Sequence, residues 1–290
     1  RPGQVGNSSS CGICHTFAAD GRCISLLKIL MTNECVFDCK YCINQSKRNF
    51  TRLELSPEEL AKAFLGYYNR GLVNGLFLSS GISGDVDSTM EKQIETVHLL
   101  RNKYGYDDYI HLKVVPGASK DDIKRAMALA NRVSINIEAA TPSGLAELSS
   151  TKDYNKDILK RLSWINRYQH KSTTYPNSTH TTQLIVGANG ESDKEILSRM
   201  EKIYKNSELK RTYFSAFTPI AETEFGNKEA CSTDRTAKLY NADSLLNDYH
   251  YNVNELVFDE NDQLLIRLRY FAGKTQSETA KILEMTQVQV

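Results

Sequence analysis

No stretch of this 290-residue sequence stays apolar for long enough to cross a bilayer as a helix. No charged-then-apolar leader opens it either, and the first residue is Arg1 rather than Met, which leaves the natural start of the protein open. Net charge is nearly absent: 36 Lys and Arg face 35 Asp and Glu, for a formal value of +1. Bulk electrostatics therefore gives no case for nucleic acid as a partner, and any basic surface must be local. Internal repeats are lacking too. The remaining composition, 40% apolar and 24% charged, is that of an ordinary soluble globular protein. A chain of this length can bury a substantial core as one large domain, or as one domain with an appendage.

Cysteine is abundant in one place. Six of the seven cysteines fall between Cys11 and Cys42, and Cys231 stands alone. A secreted disulfide framework is usually shorter and spreads its cysteines through the fold. This cluster instead suggests metal ligands in a reducing compartment, so a cytoplasmic location is expected.

Residues 1–24 are rich in Gly, Ser and Cys, show no hydrophobic period, and are expected to form a Cys-rich loop. Strand-like apolar runs follow at Ile24–Met31, Gly75–Leu78, Tyr109–Val115, Val133–Ile137, Thr181–Val186 and Arg211–Phe217. Between them, Ser56-Pro57-Glu58-Glu59 supplies an N-cap, a first-turn Pro and early acids ahead of Leu60, Ala63, Phe64 and Tyr67. Stretches 88–104, 119–131, 155–168 and 192–206 repeat the pattern, with apolar residues three and four apart. Residues 171–180 look like a polar loop. Six strand–helix units imply a parallel sheet covered on both faces, an α/β fold that could be an open doubly wound sheet or a barrel.

In either case the carboxyl ends of the strands should line the active site. That rule selects the Cys35 loop, Ser79-Ser80-Gly81, Lys113 and Pro116, Glu138, Gly187 to Asn189, and Ser215 to Pro219. The sharpest motif among them is Cys35-Val-Phe-Asp-Cys39-Lys-Tyr-Cys42, directly after the first strand. Iron–sulfur cubanes are normally held by four thiolates, so three on one short loop leave one iron open. An open position marks a reactive centre rather than a structural one. Zinc is the alternative; it would want a fourth ligand such as His15 or another Cys, and its cysteine pairs are usually spaced otherwise.

The triplet, with Tyr41 just before its last Cys, resembles the signature of the radical S-adenosylmethionine (SAM) superfamily. The resemblance covers roughly Cys14 to Asn247. It implies a partial (β/α)6 TIM-like barrel whose Cys35, Cys39 and Cys42 hold a [4Fe-4S] cluster, with the open iron binding SAM. It also implies an electron donor such as flavodoxin or ferredoxin and a deoxyadenosyl radical that abstracts hydrogen from a substrate. Ser79, Ser80 and Gly81 stand where that family's Gly-rich turn contacts the SAM amino group, although the acidic third residue is missing here. Asn136 and Glu138 match positions that hold the SAM ribose or methionine end, and Val186 and Gly187 match the segment that packs on adenine. Strand-end packing is the alternative for each.

Longer stretches carry a closer resemblance: Gly12–His15, Asp20–Lys28, Gly75–Gly81 and Ile110–Gly117 are similar to a DNA-modification or repair branch of the superfamily. Members of that branch are often encoded beside a uracil-DNA-glycosylase-like protein. The resemblance therefore implies a nucleic-acid substrate and that protein as a partner.

Three features lie outside these motifs. Cys11, Cys14 and Cys23, with His15, could bind a second metal or cluster, or could be free thiols; Cys11-x-x-Cys14-His15 also fits a haem-attachment pattern that nothing else supports. Cys231 could return hydrogen to a substrate radical or simply be a small buried hydrophobe. Residues 258–290 resemble region four of bacterial sigma factors, a helix-turn-helix cut short at Val290, which suggests a chimeric or truncated tail. The expected organisation is a Cys-rich segment 1–24, a barrel 25–250 and the tail 258–290. Two other functions compete with the enzyme: a metal-dependent DNA-binding regulator using that tail, and a zinc-stabilised barrel without radical chemistry.

Overall fold

The computed structural model describes residues 12–17, 23–171 and 178–258. Seven strands form one sheet in chain order: β1 (Ile13–Phe17), β2 (Cys23–Leu30), β3 (Gly75–Ser79), β4 (Tyr109–Lys113), β5 (Arg132–Ser134), β6 (Thr179–Val186) and β7 (Arg211–Ala216). β1 runs antiparallel to β2, and every later neighbour is parallel. A doubly wound sheet reverses its strand order at a switch point. This one never reverses, and it curls into a half-barrel. Across the curl, the Arg132 guanidinium on β5 donates to the Thr16 hydroxyl on β1 at 3.2 Å.

The helices are α1 (Pro57–Tyr68), α2 (Val86–His98), α3 (Lys120–Leu129), α4 (Pro142–Leu148), α5 (Lys160–Lys171), α6 (Asp193–Asn206) and α7 (Thr233–Asn247). Local chemistry starts several of them. Ser56 accepts from the Glu59 N–H while the Glu59 carboxylate accepts from the Ser56 N–H, a reciprocal cap repeated at Ser119/Asp122 and Ser192/Glu195. Each such cap stabilises its helix by about 1 kcal/mol. Leu60, Ala61 and Phe64 of α1 and Met90, Ile94 and Val97 of α2 are buried and join a core with Leu76, Leu78, Ile110 and Leu112 from the strands. None of the described helices is long and apolar enough to cross a membrane.

Four details differ from the sequence reading. Residues 13–17 are not loop: pairing with β2 holds them as an edge strand despite their weak apolar pattern. β5 stops at Ser134 rather than Ile137, because the Thr182 hydroxyl enters the ladder, accepting from the Ile137 N–H at 3.2 Å and donating to the Ile135 carbonyl at 2.7 Å. Pairing to β6 resumes through one bridge at Glu138, whose φ of 62° is left-handed. π-helical turns at Leu99–Lys103 and Tyr154–Leu159 extend the two helical stretches expected there. Thr179 and His180, taken for loop, open β6. The sigma-like tail from 259 onward, Cys11, and residues 172–177 of the expected loop lie outside the described residues.

Candidate functional site

β2 ends at Leu30 and delivers the chain into the cysteine loop. Arg52 holds that loop's two ends together, donating to the carbonyls of Asn33 (2.6 Å), Asn44 (2.9 Å), Gln45 (2.8 Å) and Arg48 (2.9 Å). Asp38, inside the motif, fixes its middle. Its buried carboxylate accepts from the Ser149 hydroxyl (2.7 Å), the Ser150 N–H (3.0 Å), the Ser150 hydroxyl and the Thr151 hydroxyl (2.9 Å), all just past α4. Burial pushes this carboxyl up, but the hydroxyl and N–H donors outweigh it and hold it well below the usual carboxylate range. On the far side, the Val36 N–H reaches the Ile82 carbonyl at 2.9 Å. The loop is thus tied to the ends of β3 and α4.

Cys35, Cys39 and Cys42 line one cavity of about 260 Å³ at the carboxyl ends of the strands. Tyr41, Ser79, Ser80, Gly81, Asn136 and Glu138 share that cavity, so most of the residues selected from sequence come together. Val186 and Gly187 do not line it; Ile185 does instead. Val186 is core, and Gly187, at φ 86°, packs so closely on Cys231 that an added Cβ would lie 2.6 Å from the Cys231 Cβ. Gly81 carries a real steric demand. A Cβ there would overlap the Glu34 carbonyl oxygen, because the Gly81 N–H bonds the Thr32 carbonyl at 2.8 Å. Beside it the Ser80 hydroxyl is buried with no partner.

Charge in this cavity is paired. The Lys152 ammonium lies 3.6 Å from the Glu138 carboxylate, with the two side chains 6% and 8% exposed. Burial alone would lower the Lys152 pKa, but the Cys39 thiol, to which it hydrogen-bonds, and Glu138 raise it above its ordinary value. Lys113, also buried here, is pulled below its ordinary value by desolvation. Burial pushes the Cys39 and Cys42 thiols up, and it pushes the Tyr41 phenol up strongly, with Glu138 adding to that shift. Asp38, Arg52, Lys152 and Gln183 were not selected from sequence. Only the run Ser149-Ser150-Thr151-Lys152 offered a signal, a density of hydroxyls with a cation after a short helix.

A second, larger cavity of about 750 Å³ fills the curl of the sheet and meets the first at Asn136 and Gln183. Its walls come from β1 to β7 and from α7, and include Lys28, Phe77, His111, Arg211, Tyr213 and Tyr240. Cys14 and His15 face it, but Cys23 does not join them. Cys14 is buried opposite Leu26, whereas Cys23 is exposed at the other end of the hairpin. Three residues of strand separate the two positions, about 10 Å at 3.3–3.4 Å per residue, and alternation puts them on opposite faces. Among the described residues no three His, Cys, Asp or Glu side chains form a group able to hold a single metal ion.

The family model of the radical SAM superfamily matches residues 29–203. The chain belongs to the radical SAM superfamily. A curated relative, the tRNA-2-methylthio-N(6)-dimethylallyladenosine synthase of Lachnoclostridium phytofermentans, is 23% identical over 197 residues, covering 66% of this chain and 41% of the relative. Among solved structures, HydG, a maturase of the [FeFe]-hydrogenase, aligns with a TM-score of 0.62 at 12% identity, over 77% of this chain and 49% of that one. Methylornithine synthase (PylB) aligns with a TM-score of 0.61 at 12% identity, over 77% and 62%. The two structural likenesses establish the shared half-barrel fold. This chain spans less than two thirds of the length of each of these proteins.

Membership of the radical SAM superfamily implies a [4Fe-4S] cluster and SAM. The residues present fit both groups. Three thiols share one cavity, the donor set that a cubane with one open iron would take from the protein. The unpartnered Ser80 hydroxyl provides a polar contact for a small ligand beside them.

Proposed function

We propose that this chain is a radical SAM enzyme whose substrate is a nucleic-acid component. The observation that carries the reading is a pair of adjoining cavities with two wall residues in common. The thiol-lined cavity, where Cys35, Cys39 and Cys42 would hold the cluster, shares Asn136 and Gln183 with a chamber large enough for a substrate. When bound, the cluster and SAM would supply a deoxyadenosyl radical at that junction. The protein's own residues position and enclose. Ser79, Ser80 and Gly81 line the cavity where the SAM amino group would sit, and Ser80 offers it a free hydroxyl. The Glu138–Lys152 pair presents one charge of each sign at the cavity wall, suited to a zwitterion. Asn136 and Gln183 face both spaces and orient whatever bridges them, while the curled sheet excludes water from a reactive intermediate.

The nucleic-acid part is supported by the similarity to a tRNA-modifying synthase and by the resemblance of the N-terminal and strand motifs to the DNA-modification or repair branch. A uracil-DNA-glycosylase-like partner rests on that branch resemblance alone. An electron donor such as flavodoxin or ferredoxin follows from the reductive step. Anaerobic reconstitution with iron and sulfide, followed by reduction with SAM present, should release deoxyadenosine, and Cys35→Ala should abolish the release. A colourless, zinc-loaded protein inert toward SAM would overturn the proposal in favour of the zinc-stabilised barrel.

A further inference from the structure

Resting on that reading, the chamber's wall chemistry defines a substrate class. Lys28 projects from β2 with its ammonium 5.6 Å from the centroid of Phe77, which stacks on His111 at 4.2 Å and 1°. On β7, at the other end of the sheet, the Arg211 guanidinium sits 5.9 Å from the ring of Tyr213 and 5.6 Å from that of Tyr240. Among the described residues no Asp or Glu lines the chamber, and the buried Asp243 acts on Arg211 only through space, without a salt bridge. Two cations elsewhere are paired: Lys152 with Glu138, and Arg235 with Asp193 at 2.8 Å. Lys28 is exposed and Arg211 half-buried, and an acid-free wall bearing two cations carries a local positive potential that attracts an anion. Thr181 adds a buried hydroxyl on the same wall with no partner.

His111 contributes no third charge. Desolvation, with Arg132, Lys113 and Lys28 nearby, holds its imidazole well below the ordinary value, and its Nε2 lies 2.8 Å from the Ser134 hydroxyl. The ligand therefore meets two cations, a neutral imidazole, hydroxyls and aromatic rings. Guanidinium matches phosphate geometry through its planar fork, and tyrosine rings beside it provide stacking area for a heterocycle. We propose that the chamber binds a phosphorylated nucleoside unit, its phosphate on Arg211 with Lys28 as the second positive charge and its base against Tyr213 and Tyr240. The unit could be a free nucleotide or a residue of a strand; the chemistry is shared.

The test is calorimetric binding to the reconstituted protein of the four ribonucleoside 5′-monophosphates, the matching nucleosides, inorganic phosphate, and short single-stranded RNA and DNA. At least one monophosphate should bind about tenfold or more tighter than its nucleoside, and Arg211→Met should remove about that factor, with Arg211→Lys recovering part of it. Lys28→Met should weaken binding in the same direction and flatten its salt dependence. A strand binding tighter than any monophosphate, with the same Arg211 dependence, supports the proposal and identifies the strand as the source. Nucleosides binding as tightly as their phosphates, or no probe exceeding inorganic phosphate, would overturn it. Binding is read without SAM turnover, so the two proposals fail separately. Nucleotide binding without deoxyadenosine release removes the enzyme reading; release without nucleotide binding removes this one.

Discussion

The two joined cavities handle positive charge in opposite ways. In the thiol-lined cavity Lys152 is held against Glu138 and Cys39, deep in protein, so its charge is answered before any ligand binds. In the larger chamber Lys28 and Arg211 lie among rings and hydroxyls, with the buried Asp243 close enough to Arg211 to feel its charge but no Asp or Glu among the described lining residues. The contrast separates a cation paired inside the protein from cations that the proposed ligand would pair, and stability measurements can tell them apart.

The largest effect should come from the paired cation. Lys152→Met leaves the Glu138 carboxylate buried without its counter-charge, and removing one partner of a buried pair costs about 3–5 kcal/mol. Denaturant unfolding should show that loss, and Lys152→Met combined with Glu138→Gln should recover much of it. A single variant as stable as wild type would break the comparison at its first term.

Next comes the chamber's outer helix. Asp243 on α7 has its carboxyl lifted by burial to about 7 from an ordinary 3.8, against the Tyr204 hydroxyl that donates to it at 2.6 Å. The folded state holds this proton more tightly than the unfolded chain. The resulting stability is therefore complete below about pH 4 and is lost as pH rises toward 7, by up to about 1.4 kcal/mol per unit. Asp243→Asn should erase that slope, and parallel slopes in both proteins would count against the assignment.

A smaller effect sharpens the geometry of the first cavity. Gly81→Ala forces a Cβ onto the Glu34 carbonyl and should cost about 1–3 kcal/mol in thermal unfolding, as overpacking generally does. Smallest of all, Lys28→Met should change stability by less than about 1 kcal/mol, because only its contact with the Phe77 ring is lost. A loss equal to that of Lys152→Met would erase the distinction between the two cavities.

Much of this architecture was legible before any coordinates. The six parallel strands show as near-continuous apolar runs because helices cover the sheet, and Ser56, Ser119 and Ser192 announce their helices through local capping chemistry. That Cys35, Cys39, Cys42 and Gly81 share one cavity is legible because spacing and residue type within short segments put them at the strand ends. β1 was missed because its strand character comes from pairing with β2, not from its own pattern. Asp38 meets Ser149 to Thr151 across more than a hundred residues, and Lys152 meets Cys39 across as many, so neither contact leaves a local trace. Val186 and Gly187 were placed by motif position, but the neighbouring Ile185 faces the cavity.

The central claim is that Cys35, Cys39 and Cys42 hold a cluster with one open iron. Electron paramagnetic resonance of the anaerobically reconstituted, reduced protein, recorded with and without SAM, tests it most directly. The account predicts a reduced four-iron cluster signal that changes shape when SAM is added and is missing from Cys39→Ala. An iron signal indifferent to SAM, or one that survives loss of Cys39, would contradict it.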